Sequence, residues 1–197
     1  MAAPDVDILK RARAGDRAAL AELLEPEMDR VYATCRRMVG NPDDAAELAH
    51  DSIVRAIRGL GSFDGRSSLA TWITRVTMNT CLSWHRARGR RAGRMHLSAE
   101  NPDEIGGEPG SVGGVQPESG PADTGVRDRI EEALNMINPE QRAILVLRDI
   151  RGLDYDSIGA ALDIPIGTVK SRIYRARAAL RTGLESLGIF DSGEGHS

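Results

Sequence analysis

One stretch of the sequence combines cationic and hydroxyl side chains with no acidic residue. It reads GTVKSRIYRARAAL, spans residues 167–180 and has helical apolar spacing. Its cations are Lys170, Arg172, Arg175 and Arg177. Such side chains bind phosphate oxygens and base edges, and an acidic residue among them would repel the phosphates. A charge run is also typical of a solvated helix face, so the flanking elements must distinguish the two interpretations.

A second set of polar side chains recurs once per helical turn between residues 69 and 88. At 100° per residue, one arc holds Arg75, Asn79, Ser83 and Arg86. The opposite, apolar arc holds Leu69, Ile73, Val76, Thr80 and Trp84. Arginines continue to residue 94 in RARGRRAGR. Long donors and amides in a row suit nucleic acid, and a solvated face with a basic tail is the alternative.

The sequence shows no pattern typical of catalysis or of a metal site. Its histidines share no ligand spacing with cysteines or carboxylates; they are His50, His85, His96 and His196. Cys35 and Cys81 are far apart and fall at apolar helix positions, which predicts core packing. No glycine-rich phosphate loop precedes a Lys and a Ser or Thr. We therefore expect no enzymatic activity, no cofactor and no metal.

Composition divides the 197 residues into three segments. Residues 95–126 contain six acidic residues, no Lys or Arg, and many Gly and Pro, which predicts a flexible linker between a domain at 1–94 and another at 127–190. Both flanking segments have helical periodicity, so the fold class is all-α. No apolar run is long enough for a signal peptide or a membrane span, and we expect a cytoplasmic protein without membrane insertion.

Turn residues punctuate the N-terminal segment. Pro26 and the GNPDD at 40–44 predict helix boundaries, with Asn41 and Pro42 opening a helix. In DAAELAHDSIVRAI the apolar spacing predicts burial of Ala46, Ala49, Ile53 and Ile57. The same helix is predicted to expose Glu47, His50, Asp51 and Arg58. The segment GLGSFDGRSS predicts a loop, and a long helix is expected from about Leu69 to Arg88.

The C-terminal segment predicts a helix-turn-helix. Asn138 and Pro139 match a helix N-cap and first position, and Asp154 caps the short helix YDSIGAAL. Four residues, DIPI, then lead into the cationic helix. Its apolar stripe comprises Val169, Ile173, Ala176, Leu180, Leu184 and Leu187. The other side presents Thr168, Lys170, Ser171, Tyr174 and Arg175, with Arg172 at the flank. The second helix of such a motif enters the major groove, which favours DNA recognition.

Two blocks of this sequence resemble a known family. DAAELAHDSIVRAI followed by FDGRSSLATWITRVTMNTCLSWHRARGRR resembles region two of the extracytoplasmic-function (ECF) sigma factors, in the sigma-70 family. LNMINPEQRAILVLRDIRGLDYDSIGAALDIPIGTVKSRIYRARAAL resembles their region four. The pair covers about 140 residues, in the family's order and without an intervening third domain. The chain differs at His50, where glutamine is common, and at Leu69, where an aromatic residue is common.

The resemblance implies a subunit that binds bacterial core RNA polymerase and directs promoter-specific initiation. Residues expected to bind polymerase are Glu47, Leu48, His50 and Asp51. Those expected to read the minus-ten element are Phe63, Arg66, Ser67, Arg75, Asn79, Ser83 and Arg86. Those expected to read the minus-thirty-five element are Thr168, Lys170, Ser171, Arg172, Tyr174 and Arg175. The resemblance also implies an anti-sigma protein as a further partner.

A stand-alone helix-turn-helix regulator is the alternative hypothesis. Its N-terminal domain would dimerise or sense a signal. The polar row from Arg75 to Ser83 favours a sigma factor, because a dimerisation domain has little need of such a row.

Overall fold

A computed structural model of the protein describes residues 6–98 and 121–189. Within those ranges the chain is helical, with no β-strand. The N-terminal module comprises α1 (Val6–Arg13), α2 (Arg17–Val39), α3 (Pro42–Gly59), a short 3₁₀ turn (Leu60–Ser62) and α4 (Leu69–Ser98). The C-terminal module comprises α5 (Pro121–Met136), α6 (Pro139–Leu145), a π-helical turn (Val146–Ile150), α7 (Tyr155–Leu162) and α8 (Ile166–Ser186).

The predicted helix starts are confirmed by their capping hydrogen bonds. Asn41 Oδ1 accepts from the amides of Asp43 and Asp44 at 2.8 and 3.1 Å, ahead of α3. Asn138 accepts from the Glu140 amide at 2.8 Å, and Asp154 accepts from the Ser157 amide at 2.7 Å. Each cap satisfies amides that have no partner inside the helix, which places the first turns of α3, α6 and α7.

Pro26 does not end a helix as predicted, because it lies inside α2. The proline removes one backbone hydrogen bond, at a cost of about 3 kcal/mol. Buried residues on both sides of it, Leu24 and Val31 among them, keep the helix packed against its neighbours. Tertiary burial therefore outweighs the local cost.

The buried stripe of α3 also differs from the predicted one. Ala46 and Ile57 are exposed, and Ala49 and Ile53 are half-buried. The buried residues are Ala45, Leu48, Ser52 and Ala56. These positions are spaced by three and four residues, and three of the four side chains are small, which lets α3 lie close to α2 and α4. Ser52 is tolerated there because its hydroxyl donates to Leu48 O at 2.6 Å.

Helices enter the expected linker from both ends. The predicted end of the long helix, near Arg88, is too early, since α4 continues to Ser98. Residues 86–95 are rich in Arg and Ala, which are strong helix formers. Pro121 begins α5, a position that suits proline. The remainder of the expected linker, residues 99–120, lies outside the described residues.

The helix-turn-helix has the predicted order, and its turn is set by close backbone contact. Asp163 adopts the left-handed conformation (φ 54°) and ends α7. The Ile164 amide then donates back to Gly159 O at 3.0 Å. A Cβ on Gly159 would lie 3.0 Å from Ile164 O, so glycine gives the turn the room it needs. The apolar stripe of α8 faces inward, with Val169, Ile173 and Ala176 buried.

The two modules pack against each other through a buried arginine, which the sequence did not predict. Arg142 of α6 is 4% exposed, although arginine is rarely buried. Its guanidinium donates to Met38 O at the end of α2. It also donates to Asn135 Oδ1 and Asn135 O, at 2.9 and 2.8 Å. Burial lowers the pKa of Arg142 to about 10. Carbonyl acceptors on both modules therefore surround one desolvated cation.

Other polar contacts extend this junction. His85 Nε2 of α4 donates to the same Met38 O at 2.8 Å. Burial lowers the pKa of His85, and the nearby cations Arg142 and Arg88 act in the same direction. Arg151 Nη2 donates to Thr74 Oγ1 at 3.1 Å, so α4 is covered by the C-terminal module as well as by α2 and α3.

We expect Arg142→Ala to destabilise the protein by about 3 kcal/mol, because it removes the donor to the Asn135 carbonyl and leaves the Met38 carbonyl only its bond from His85. Denaturant unfolding followed by circular dichroism measures the change. Arg181→Ala, a change at an exposed position of α8, is the matched control. Equal midpoints for the two variants would contradict this account of the junction.

Candidate nucleic-acid and polymerase surfaces

The predicted polar row on α4 is exposed along its whole length. We name Arg75, Asn79, Ser83 and Arg86 the α4 row, and all four are exposed. The rest of the helix circumference between Leu69 and Leu82 is buried or half-buried by α2, α3, α6 and α7. Within the described part of the chain, neither Arg75 nor Arg86 forms an ion pair with a carboxylate. The row therefore offers unneutralised donors to a polyanion.

Phe63 is buried at the start of the loop, whereas the resemblance implied that it contacts a base of the minus-ten element. Its side chain is 2% exposed, and its ring lies 5.7 Å from that of Trp72 at 54°. Pairs of tilted rings at this distance are favourable, and the contact ties the loop to α4. The ring therefore anchors the loop in this structure, and its surface is not available for stacking on a nucleotide.

The outer part of the same loop is exposed. We name residues 63–68 the 63–68 loop; Arg66 and Ser67 are exposed, and Arg66 pairs with Asp64 at 3.2 Å. Ser68 closes the loop, because its hydroxyl accepts from the Thr71 amide at 3.1 Å at the start of α4. Arg66 and Ser67 thus lie at the surface between two fixed ends.

The loop also has a contact from α1 that no sequence pattern indicated. Arg13 donates from Nε to Leu60 O at 3.2 Å and from Nη2 to Phe63 O. The two carbonyls lie about fifty residues away along the chain. An arginine in a short amphipathic helix carries no mark of such a partner, so only the folded structure reveals it.

The cationic face of α8 is mostly exposed. We name Thr168, Lys170, Ser171, Arg172, Tyr174 and Arg175 the α8 face. Tyr174 is 77% exposed, whereas Thr168 and Arg172 are half-buried. Arg172 Nη1 lies 3.7 Å from Glu140 Oε2, which limits its reach. Arg177, at the side of the helix, pairs with Asp149 and so contributes less free charge.

The acidic face of α3 presents three of the four residues expected to bind polymerase. Glu47, His50 and Asp51 are exposed on adjacent turns. Leu48 is 4% exposed and packs in the core, so it supports this face from beneath. With Asp43 at the start of the helix, the face is predominantly negative.

The described residues also bear on metal binding, membrane insertion and the two thiols. They contain no group of three or more side chains placed to hold a metal ion. None of the described helices has the length and apolarity needed to cross a membrane. The Sγ atoms of Cys35 and Cys81 are 3.7 Å apart and buried, and the hydrogen bond with Cys35, followed by desolvation, raises the pKa of Cys81. These thiols pack in the core, as their apolar positions predicted.

Two family models match this chain, one on each module. Residues 23–91 match "Sigma-70 region 2", and residues 127–180 match "Sigma-70, region 4". The α4 row and the acidic face of α3 lie in the first range, and the α8 face lies in the second. Arg13 and all of α1 lie outside both.

Similar proteins cover nearly the whole chain. The ECF RNA polymerase sigma factor SigW of Bacillus subtilis is 32% identical over 186 residues, 91% of this chain and 96% of its own length. SigE of Mycolicibacterium smegmatis is 37% identical, covering 85% of this chain and 63% of its own. Sigma factor RpoE of Bartonella quintana, solved in complex with the anti-sigma factor NepR, is 25% identical with a TM-score of 0.61, covering 82% of this chain and 94% of that one.

Proposed function

The chain belongs to the ECF RNA polymerase sigma factors, and from this premise we propose which of its surfaces carry the steps of initiation. As a sigma factor it binds core RNA polymerase and directs transcription from specific promoters. Sigma factors are non-enzymatic initiation factors, and we infer that this one acts by binding alone, in the cytoplasm where polymerase works. We assign residues 1–94 to region two, 127–190 to region four and 95–126 to the segment between them.

The alternative of a stand-alone regulator loses its support. Such a regulator would share only the helix-turn-helix with sigma factors, whereas the similarity to SigW extends over 91% of this chain. The N-terminal module matches region two by itself.

The α4 row carries the proposal for the minus-ten element. Its exposed donors run along one helix, and the exposed Arg66 and Ser67 of the 63–68 loop are available beside its start. A single-stranded nucleic acid is bound by cations along its backbone and by polar groups on its unstacked base edges. We assign phosphate contacts to Arg75 and Arg86, and base contacts to Asn79, Arg66 and Ser67. Phe63 fixes the loop from below.

The α8 face is proposed to read the minus-thirty-five duplex. Val169 and Ile173 seat the helix on its own module, which leaves Lys170 and Arg175 facing outward. A helix anchored in this way can enter the major groove with cations and hydroxyls in front. The pair between Arg172 and Glu140 favours a positioning or phosphate role for Arg172.

The acidic face of α3 is proposed to bind a cationic surface of core polymerase. Glu47 and Asp51 are one turn apart and both exposed, so they can pair with cations on one partner element. His50 lies between them on the same surface. An anti-sigma protein is proposed as a regulatory partner, on the basis of the similarity to RpoE of Bartonella quintana, which was solved with one.

While the two modules are packed together, the α4 row and the α8 face cannot contact the minus-ten and minus-thirty-five elements at the same time. The centres of the two elements are separated by about 25 base pairs, or about 85 Å at about 3.4 Å per pair. Here α4 and α7 are in direct contact. We therefore propose that the Arg142 junction opens when the holoenzyme binds a promoter.

The principal test is transcription with core polymerase on paired templates, with intact or scrambled minus-thirty-five elements. We expect transcripts only when the protein and core are both present. Arg175→Ala should reduce the intact-template yield by about 5- to 150-fold, because one base contact is worth about 1–3 kcal/mol. Arg181→Ala is the control on the same helix. Equal losses on both templates would remove Arg175 from element reading.

Charge reversal tests the polymerase surface. The double variant Glu47→Lys with Asp51→Lys should weaken core binding at least tenfold while helix content stays the same, since both changes are at exposed positions. The charge-matched control is Asp128→Lys with Glu185→Lys, exposed residues of the C-terminal module. Fluorescence anisotropy of labelled protein titrated with core measures the affinity. Normal affinity of the α3 variant would refute the assignment.

Energy transfer between dyes tests the opening. Glu22→Cys and Arg181→Cys place one exposed label on each module, while the native Cys35 and Cys81 are fully buried. We expect high transfer efficiency in the free protein and a marked decrease once core and promoter DNA are added. Transfer that stays unchanged in an active holoenzyme would show that the modules do not separate.

A further inference from the structure

We propose that Arg13 of α1 is a positioning residue for promoter reading, because it fixes the backbone from which the 63–68 loop projects. The proposal rests on the proposed function of that loop. Helix α1 lies outside both ranges that match sigma regions, and it presents none of the residues assigned above to DNA or polymerase.

The Arg13 guanidinium makes two hydrogen bonds to backbone carbonyls. Nε of Arg13 donates to Leu60 O at 3.2 Å, and Nη2 donates to Phe63 O. These carbonyls belong to Leu60, the first residue of the 3₁₀ turn, and to Phe63, the residue that follows the turn. The planar guanidinium holds its donors in a fixed fork, so it sets the relative position of two carbonyls in a way that the single ammonium of lysine does not.

The end of α1 that carries Arg13 is attached to α2. The neighbouring Ala12 is 4% exposed and packs α1 onto α2. Asp16, which caps α2, pairs with Arg11 at 2.7 Å and accepts from the Ala18 amide at 2.9 Å. The end of α1 and the start of α2 are therefore tied together within a few residues of Arg13, and its fork is attached to the core of the module.

The carbonyls that Arg13 holds are at the point where the loop leaves the core. Phe63 is the last buried residue before Asp64, Gly65, Arg66 and Ser67, which are all exposed. The other end is fixed by the Ser68 cap of α4. The direction of the exposed part thus depends on the peptide planes at Leu60 and Phe63. Loss of the fork frees the Phe63 carbonyl and leaves the Leu60 carbonyl only the 3.3 Å bond from the Phe63 amide, although the Phe63 ring can remain packed on Trp72.

The test measures base discrimination by the holoenzyme. Labelled single-stranded oligonucleotides carry the non-template minus-ten sequence, with each of the four bases placed in turn at each position. Anisotropy gives the affinity of the holoenzymes formed with wild type, Arg13→Ala, Arg13→Lys and the control Lys10→Ala, which removes an exposed cation from the same helix. Core affinity and the melting temperature are measured for every protein, and Arg13→Lys serves if Arg13→Ala is unstable.

For Arg13→Ala we expect the preference between the best and worst base to fall by about 5- to 10-fold at the positions read by the loop, a part of what one base contact supplies. Other positions, core affinity and the Lys10→Ala control should stay near wild type. Arg13→Lys should keep the charge but not recover discrimination. An equal loss for every base, or full recovery by lysine, would show a general electrostatic role and overturn the proposal.

If the 63–68 loop does not read the promoter, the measurements differ from those expected if only the role of Arg13 is wrong. If the wild-type holoenzyme shows no base preference at any position, the 63–68 loop does not read the promoter, and the proposal for Arg13 falls with it. If wild type discriminates and Arg13→Ala discriminates equally, the loop assignment stands and only the role of Arg13 is refuted.

Discussion

A cation buried between two modules constrains the arrangement of this protein. The charge of Arg142 is removed from water, and such a charge is tolerated only where hydrogen-bond acceptors replace its hydration. Those acceptors come from the end of α2 and from the end of α5, which are far apart in sequence. The guanidinium therefore holds both ends at hydrogen-bonding distance. His85 donates to the same Met38 carbonyl, so α4 is attached to this point as well.

The exposed surfaces follow from that packing. Because α4 contacts α2, α3, α6 and α7, most of its circumference between Leu69 and Leu82 is covered. The hydroxyls of Thr74, Thr77 and Thr80 are buried there, and each donates to the carbonyl four residues earlier at 2.8–2.9 Å. Polar residues can therefore lie in the core without an energetic penalty for unpaired groups. What stays exposed between Leu69 and Leu82 is one row of polar side chains.

Arginines fix backbone carbonyls at two functionally separate places. Arg142 does so at the junction of the modules, and Arg13 does so at the start of the 63–68 loop. Carbonyls at the ends of helices and turns lack partners within their own element. A long side chain from another element can satisfy them and, in doing so, join the two elements. Holding the modules together and directing the loop are thus achieved by the same type of interaction.

The sequence by itself determined the starts of α3, α6 and α7, the helix-turn-helix, and the exposed sides of α4 and α8. Each of these depends on residues within about four positions of one another, through a cap, a close turn or the helical period. Only the tertiary structure decided that Phe63 and Leu48 are buried, that α2 continues through Pro26, and which residues of α3 face inward. It also decided the partners of Arg13 and Arg142. The contacts of Arg13 with Leu60 and Phe63, and of Arg142 with Met38, join residues 47 to 104 positions apart, and no local pattern encodes which distant carbonyl a long cationic side chain will meet.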